Sequence, residues 1–337
     1  MRGPAALSTV LCFLLACFIP PPSHAQLSCP ERIHQGEPLL CFVEAPEDSD
    51  QLELILMSSA KRRVASTQGF LLRKEPLGGA VYGGVLGVGC GLQPGRYVVR
   101  ASGRAPGLAF RYSVPLLVVD RRFAEETVAF DSSLTDLVKA PNPERTRQSR
   151  VLSALLNSAD VEAVYHLGRF VPTVAATRRT SGFGDIRRYV YSDGEVQYRI
   201  HAGIDYGVGT GTPVMACGAG RVVMAADRIV SGGSIVIEHL PGLYSLYFHL
   251  SSLEVEEGEL VSPGRRIGLS GATGLATGPH LHWEVRAAGV AVDPDALLRG
   301  GLVDSGPSAD VNYISIDLRP DGHVVSTVRC VNGRLTR

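Results

Sequence analysis

Thr277-Gly278-Pro279-His280-Leu281-His282-Trp283-Glu284 sets two imidazoles and a carboxylate at every second position. In a strand, residues i, i+2 and i+4 line one face, successive members standing about 7 Å apart. His280, His282 and Glu284 therefore look one way, and Leu281 the other. Such a strand belongs to a sheet with a core on one face and a polar site on the other. Upstream, His201-Ala202-Gly203-Ile204-Asp205 places an imidazole and a carboxylate four residues apart, again on one face if the backbone is extended. Gly203, Gly207, Gly209 and Gly211 make a long helix there improbable. A strand from each segment can aim three or four metal-competent groups into one space.

Working outward, Asp193-Gly194 between Tyr189-Val190-Tyr191 and Val196-Gln197-Tyr198 predicts a hairpin. Residues 214–216, 220–225, 234–238, 243–250 and 281–285 supply further strands of a β-rich unit over 171–298. Five of the nine histidines fall between positions 201 and 282. Two imidazoles, a carboxylate and a vacant position make up a catalytic zinc site, whereas structural sites are closed and usually use cysteine. His249 ends the run Tyr244-Ser-Leu-Tyr-Phe-His, and with His280 it is left for acid–base work. Glu284 ranks below them, as an orienter of a ligand or as a base.

The runs His201-Ala-Gly-Ile-Asp205, Tyr247-Phe-His249-Leu250 and Thr277 to Glu284 closely resemble the lysostaphin-type metallopeptidases, the family that includes LytM domains. Ser181-Gly-Phe-Gly-Asp-Ile-Arg187, Gly211-Thr-Pro-Val214 and Gly268 to Gly274 extend the resemblance over about 120 residues, in order. It implies an antiparallel β-sheet groove with one zinc ion bound by His201, Asp205 and His282. It also implies His249 and His280 as the catalytic pair and the peptides of bacterial peptidoglycan as substrate. Phe183, Tyr206, Tyr247 and Gly274 are candidate substrate-binding residues. A crosslink through diaminopimelate and D-alanine is expected over a glycine bridge. The alternative is a noncatalytic module that binds peptidoglycan or activates another hydrolase through the same groove; the complete ligand set favours the enzyme.

The rest of the 337 residues frame that domain. Short apolar runs at 39–43, 52–56, 81–88, 97–101 and 116–119, separated by turn signals, predict an immunoglobulin-like β-sandwich over 26–120. Residues 121–170 read as a short helical connector, with helical spacing from Ser149 to Leu167. The tail 299–337 carries weak strand patterning and no readable role. The fold class is thus mainly β. A third reading makes the N-terminal sandwich a docking or inhibitory module that controls access to the groove.

Arg2, an apolar stretch from Leu7 to Ile19 and Ser23-His24-Ala25 read as a signal peptide over 1–25, placing the protein in the periplasm or cell envelope. Leu14-Leu-Ala-Cys17 offers the alternative of a lipoprotein anchored through Cys17. Cys29, Cys41, Cys90, Cys217 and Cys330 remain, with one pair expected among the first three. Lys plus Arg and Asp plus Glu stand at 33 each, so no nucleic-acid partner is expected. His239 reads as a hydrogen-bonded structural residue, and His34, His166 and His323 as surface residues.

Overall fold

The computed structural model describes residues 27–75, 79–176 and 178–299, together with the backbone of Ile314–Leu318, Val324–Val331 and Arg334–Thr336. The signal-peptide and Cys17 readings lie outside the described residues. So does His323.

The N-terminal part forms two sheets around one core. The first orders Leu27–Ser28, Pro38–Ala45, Gly79–Gly87 and Phe70–Glu75, and the second Arg32–His34, Leu108–Val119, Gly95–Ala105, Asp50–Ser58 and Arg63–Gln68. Alternation drives the packing: Leu39, Cys41 and Val43 from the first sheet meet Leu54, Leu56, Val99 and Ala101 from the second, all buried in one cluster. Arg63–Gln68 and Phe70–Glu75 fall outside the apolar runs predicted as strands. Both are edge strands, where charged side chains facing water guard an open ladder.

The connector departs from its expected form. It contains the helices Ser132–Lys139 and Pro143–Leu156, so the second starts before the expected segment and stops well short of Leu167. Pro143 at the first turn and an Asn142 side chain accepting from the Arg145 N–H start it. Asn157, the C-cap residue, ends it, with its amide bonded to the Ser153 and Leu155 carbonyls. The connector also contributes a strand, Glu125–Ala129, which pairs in parallel with Ile186–Val190 of the expected hairpin.

The last unit is built on an eight-stranded sheet. Its main path runs Arg179–Ser181, Gly203–Tyr206, Leu281–Ala287, Leu243–Leu250, Gly232–Leu240, Gly220–Arg228 and Leu260–Val261, and Val290–Val292 pairs with Leu281–Ala287. One face carries Ile204, Tyr247, Leu281, Trp283 and Val285 into the largest core. The other carries Val236, Tyr244, Leu246 and Phe248, against which Leu152, Leu155 and Leu156 of the second helix pack. His282 and Glu284 share that second face by alternation.

Leu40, Phe70 and Val85 of the N-terminal sheets join the first core, together with Val285, Ala287 and Val292. The Asp293 amide donates to the Gly36 carbonyl at 2.6 Å, and Arg121 pairs with the buried Asp293 carboxylate at 2.8 Å. The N-terminal unit thus seats on the face turned away from His282, and the second helix of the connector packs on the other face. No helix among the described residues is long and apolar enough to cross a membrane.

Candidate metal centre and cleft

Adjacent strands in register bring the expected ligands together. Asp205 stands directly opposite His282, and His282 opposite Phe248 on its other side. His201 precedes the Gly203–Tyr206 strand and closes the group. One ligand atom from each of His201, Asp205 and His282 lies within 4.8 Å of the others, and all three residues are buried. His201 Nε2 lies 3.0 Å from His282 Nδ1 and 3.3 Å from Asp205 Oδ1, and His282 Nδ1 lies 2.7 Å from that same oxygen.

The outer hydrogen bonds fix which nitrogen faces inward. His201 Nδ1 lies 2.7 Å from the Gly182 carbonyl, which can only accept, so the proton sits on Nδ1 and the Nε2 lone pair is free. His282 Nε2 lies 2.9 Å from Glu284 Oε1, leaving Nδ1 to point at Asp205. His249 Nδ1 donates to the Thr273 carbonyl at 2.7 Å, and His280 Nδ1 to the Gly278 carbonyl at 2.8 Å. Each imidazole is anchored by one nitrogen and offers the other. A metal ligand needs this arrangement, because the outer bond sets tautomer and ring orientation.

His249 reaches this group only through a break in its strand. Gly233 pairs with Leu250 and Ile235 with Tyr247, so two residues, Phe248 and His249, oppose Ser234 in a bulge. His249 sits at φ +62°, a conformation that side chains rarely adopt. Regular alternation puts Tyr247 and His249 on one face. The bulge instead leaves Tyr247 in the core, its hydroxyl accepting from the Cys217 amide at 2.9 Å. The His249 ring turns to the site, 4.7 Å from His280 between ring centroids, while Phe248 stacks on His282 at 5.6 Å.

Burial disfavours charge throughout the site, and the partners decide who carries it anyway. Desolvation opposes a charged Asp205, yet hydrogen bonds and the charges of His201 and His282 hold its carboxyl far below the usual range. Glu284 is likewise desolvated and still held well below its ordinary value, by Arg286 and His282. His282 pays the same desolvation, and the two carboxylates lift it to about 9. Desolvation and the neighbouring His282 and His280 push His249 down to about 3. His280 is also lowered, chiefly by burial.

A cleft of about 250 Å³ opens over the group. It is lined by Asp205, His249, His280 and His282, by the segment Leu275 to Pro279, and by Arg187 and Tyr189 with Glu126, Val128 and Phe130 of the connector. The four expected substrate-binding residues are not among its lining residues. Phe183 is buried between the two units, its ring 6.4 Å from Phe123. Tyr206 lies buried under the Arg179 guanidinium, and Tyr247 is in the core. Gly274, at φ +73°, lets the loop approach strand 232–240: a Cβ there would come within 2.4 Å of the Gly232 amide.

Sequence reasoning gave no role to Arg187, Glu126 or Phe248. Arg187 had a signal, since it lies in the motif stretch that begins at Ser181. Glu126 had none, because only tertiary pairing brings it in from 61 residues away. His166, expected at the surface, is buried against Phe170 and accepts from the Ala219 amide at 3.2 Å. His239 is the buried structural histidine expected, bonded to the Ala219 carbonyl and Ser245.

Residues 199–294 match the model of peptidase family M23. A peptidoglycan DD-endopeptidase of Vibrio cholerae, ShyA, is 46% identical over 89 residues, which cover 26% of this chain and 21% of that protein. A DD-carboxypeptidase/endopeptidase of Neisseria meningitidis, Mpg, is 42% identical over 97 residues, covering 29% and 22% respectively. Among solved structures, the catalytic domain of lysostaphin from Staphylococcus simulans shows 31% identity and a TM-score of 0.31, covering 36% of this chain and 92% of that one. The matched stretches span about a fifth of the two curated relatives.

Proposed function

We propose, from the match of residues 199–294 to peptidase family M23, that this chain is a zinc endopeptidase acting on the peptides of bacterial peptidoglycan. One observation carries the proposal: four imidazoles, each tied back by one ring nitrogen, converge with Asp205 beneath an open cleft. A set of two nitrogens and one oxygen, with room left for another ligand, suits catalytic zinc. His201 Nε2, Asp205 Oδ1 and His282 Nδ1 would hold one ion per chain, which would supply Lewis acidity to a scissile carbonyl.

The remaining groups handle protons. His249 and His280 stand neutral near pH 7 because burial lowers both. The inward nitrogen of one of them accepts the proton that water sheds as it attacks the carbonyl. The imidazolium so formed becomes a donor, either to the tetrahedral oxyanion or to the departing amine. Glu284 acts as the orienter of His282 and not as a base, since it is buried and engaged by His282 and Arg286.

The bond class proposed is the DD crosslink between stem peptides, supported by the names of the two relatives. An export signal over 1–25, or anchoring through Cys17, places that reaction in the cell envelope. The N-terminal unit (26–120) is proposed to be immunoglobulin-like, because its strands alternate between two sheets in the order that fold uses. The connector is assigned to 121–170 and the peptidase domain to 171–298.

The test is fragment release from purified peptidoglycan by the zinc-loaded mature chain. Crosslink fragments, lost on chelation and restored by zinc, are the expected result. A chain that binds the polymer and releases nothing would leave the noncatalytic module as the function.

A further inference from the structure

We infer that Glu126, a connector residue outside the family-matched segment, is a positioning residue for the metal centre, keeping Asp205 available as a ligand. The inference rests on the metal-site reading above, and its evidence is a chain of contacts. Parallel pairing sets Glu126 beside Arg187 in register. Glu126 Oε1 accepts from Arg187 Nε, and a second guanidinium nitrogen of Arg187 donates to Asp205 Oδ2. The same Glu126 oxygen accepts from the Ser181 hydroxyl at 2.8 Å, and that hydroxyl lies 3.2 Å from His201 Nδ1. One connector carboxylate therefore touches two of the three ligands through a single intermediary each.

The charge balance explains why this contact matters. A guanidinium with no other anion nearby takes a carboxylate by both oxygens, in a two-bonded fork. Arg187 is largely buried, with Asp205 and Glu126 as its two carboxylate partners. Shared with Glu126, it occupies only Oδ2 of Asp205 and leaves Oδ1 toward His201 and His282. Without Glu126, the guanidinium is free to close on both Asp205 oxygens and compete with a metal for Oδ1. Ser181 also loses its shorter acceptor and keeps only Asp185 Oδ2, at 3.2 Å, to orient the hydroxyl beside His201.

The experiment measures zinc affinity of the full mature chain by chelator competition, for wild type, Glu126→Gln, Glu126→Ala and Glu125→Gln. Glu126→Gln keeps the shape and removes the charge, so it should fold as wild type does. Expected is a loss of about tenfold for both Glu126 variants, the low end for residues that support metal ligands, and no loss for Glu125→Gln, whose side faces solvent. The visible absorption of the cobalt-loaded Glu126→Gln protein should also shift, which a merely structural residue would not cause. Zinc affinity within about twofold of wild type for Glu126→Gln overturns the inference. A wild-type chain that binds zinc but cuts nothing overturns the peptidase reading and leaves this one standing.

Discussion

Replacing Gly203 by alanine tests whether the spacing of two strands sets the metal centre. Gly203 pairs with Glu284, two residues before Asp205 meets His282. A Cβ at position 203 would stand 2.4 Å from the Trp283 carbonyl oxygen and 2.9 Å from Glu284 Cγ. The carbonyl belongs to a central strand with partners on both sides, and the Trp283 side chain is fully buried, so it has little room to yield. The strands must therefore separate by about 1 Å to restore ordinary contact. Overpacking of this kind costs about 1–3 kcal/mol, which lowers Tm by roughly 1–4 °C in a chain of this size. The same displacement moves Asp205 relative to His282, and a misplacement of about 1 Å can cost about a hundredfold in rate. Thermal unfolding, zinc titration and fragment release measure the three effects. Gly209→Ala is the control, since a Cβ there meets nothing within 4 Å. A Gly203→Ala protein with wild-type Tm and zinc affinity would refute the reasoning.

The other predictions separate binding from proton handling. His282→Ala should lose most of its zinc, whereas His249→Ala should keep the metal and lose fragment release; metal analysis beside the cleavage assay distinguishes them. Glu284→Ala removes the acceptor of His282 Nε2 and of Arg286. It should weaken zinc binding by about 10–100-fold and cost about 1–3 kcal/mol in urea unfolding. His239 is buried, and desolvation lowers it to about 3, against about 6.5 in an unfolded chain. The unfolded state then binds more protons between those values, so this contribution is complete above about pH 6.5 and declines as pH falls toward 3, at about 1.4 kcal/mol per pH unit. Urea unfolding of His239→Gln should show a shallower acid decline than wild type. An identical slope would remove His239 from the account.

The alternation at His280, Leu281, His282, Trp283 and Glu284 was enough to predict a strand with a core face and a site face. Spacing along extended backbone indicated only that the His201–Asp205 and His280–His282 segments could aim polar groups into one space; the assignment of His201, Asp205 and His282 as the metal group came from the family resemblance. The hairpin at Asp193-Gly194 and the inner strands of the N-terminal sheets were legible from turn chemistry and apolar runs. Edge strands such as Phe70–Glu75 were not, because the short apolar start Phe70-Leu71-Leu72 gives way at once to three charged residues on the water-facing edge. The second helix was placed too late in the chain, because apolar spacing continued past the cap that stops it.

What only the tertiary structure decided lies where contacts cross the chain or the backbone leaves its regular form. Alternation put Tyr247 beside His249, and the bulge at φ +62° separates them, sending one to the core and the other to the cleft. Glu126 enters the site through a parallel pairing between segments 61 residues apart, which no local pattern encodes. Local sequence determines which residues can share a face. Register, bulges and the packing of distant segments decide which of them share a space.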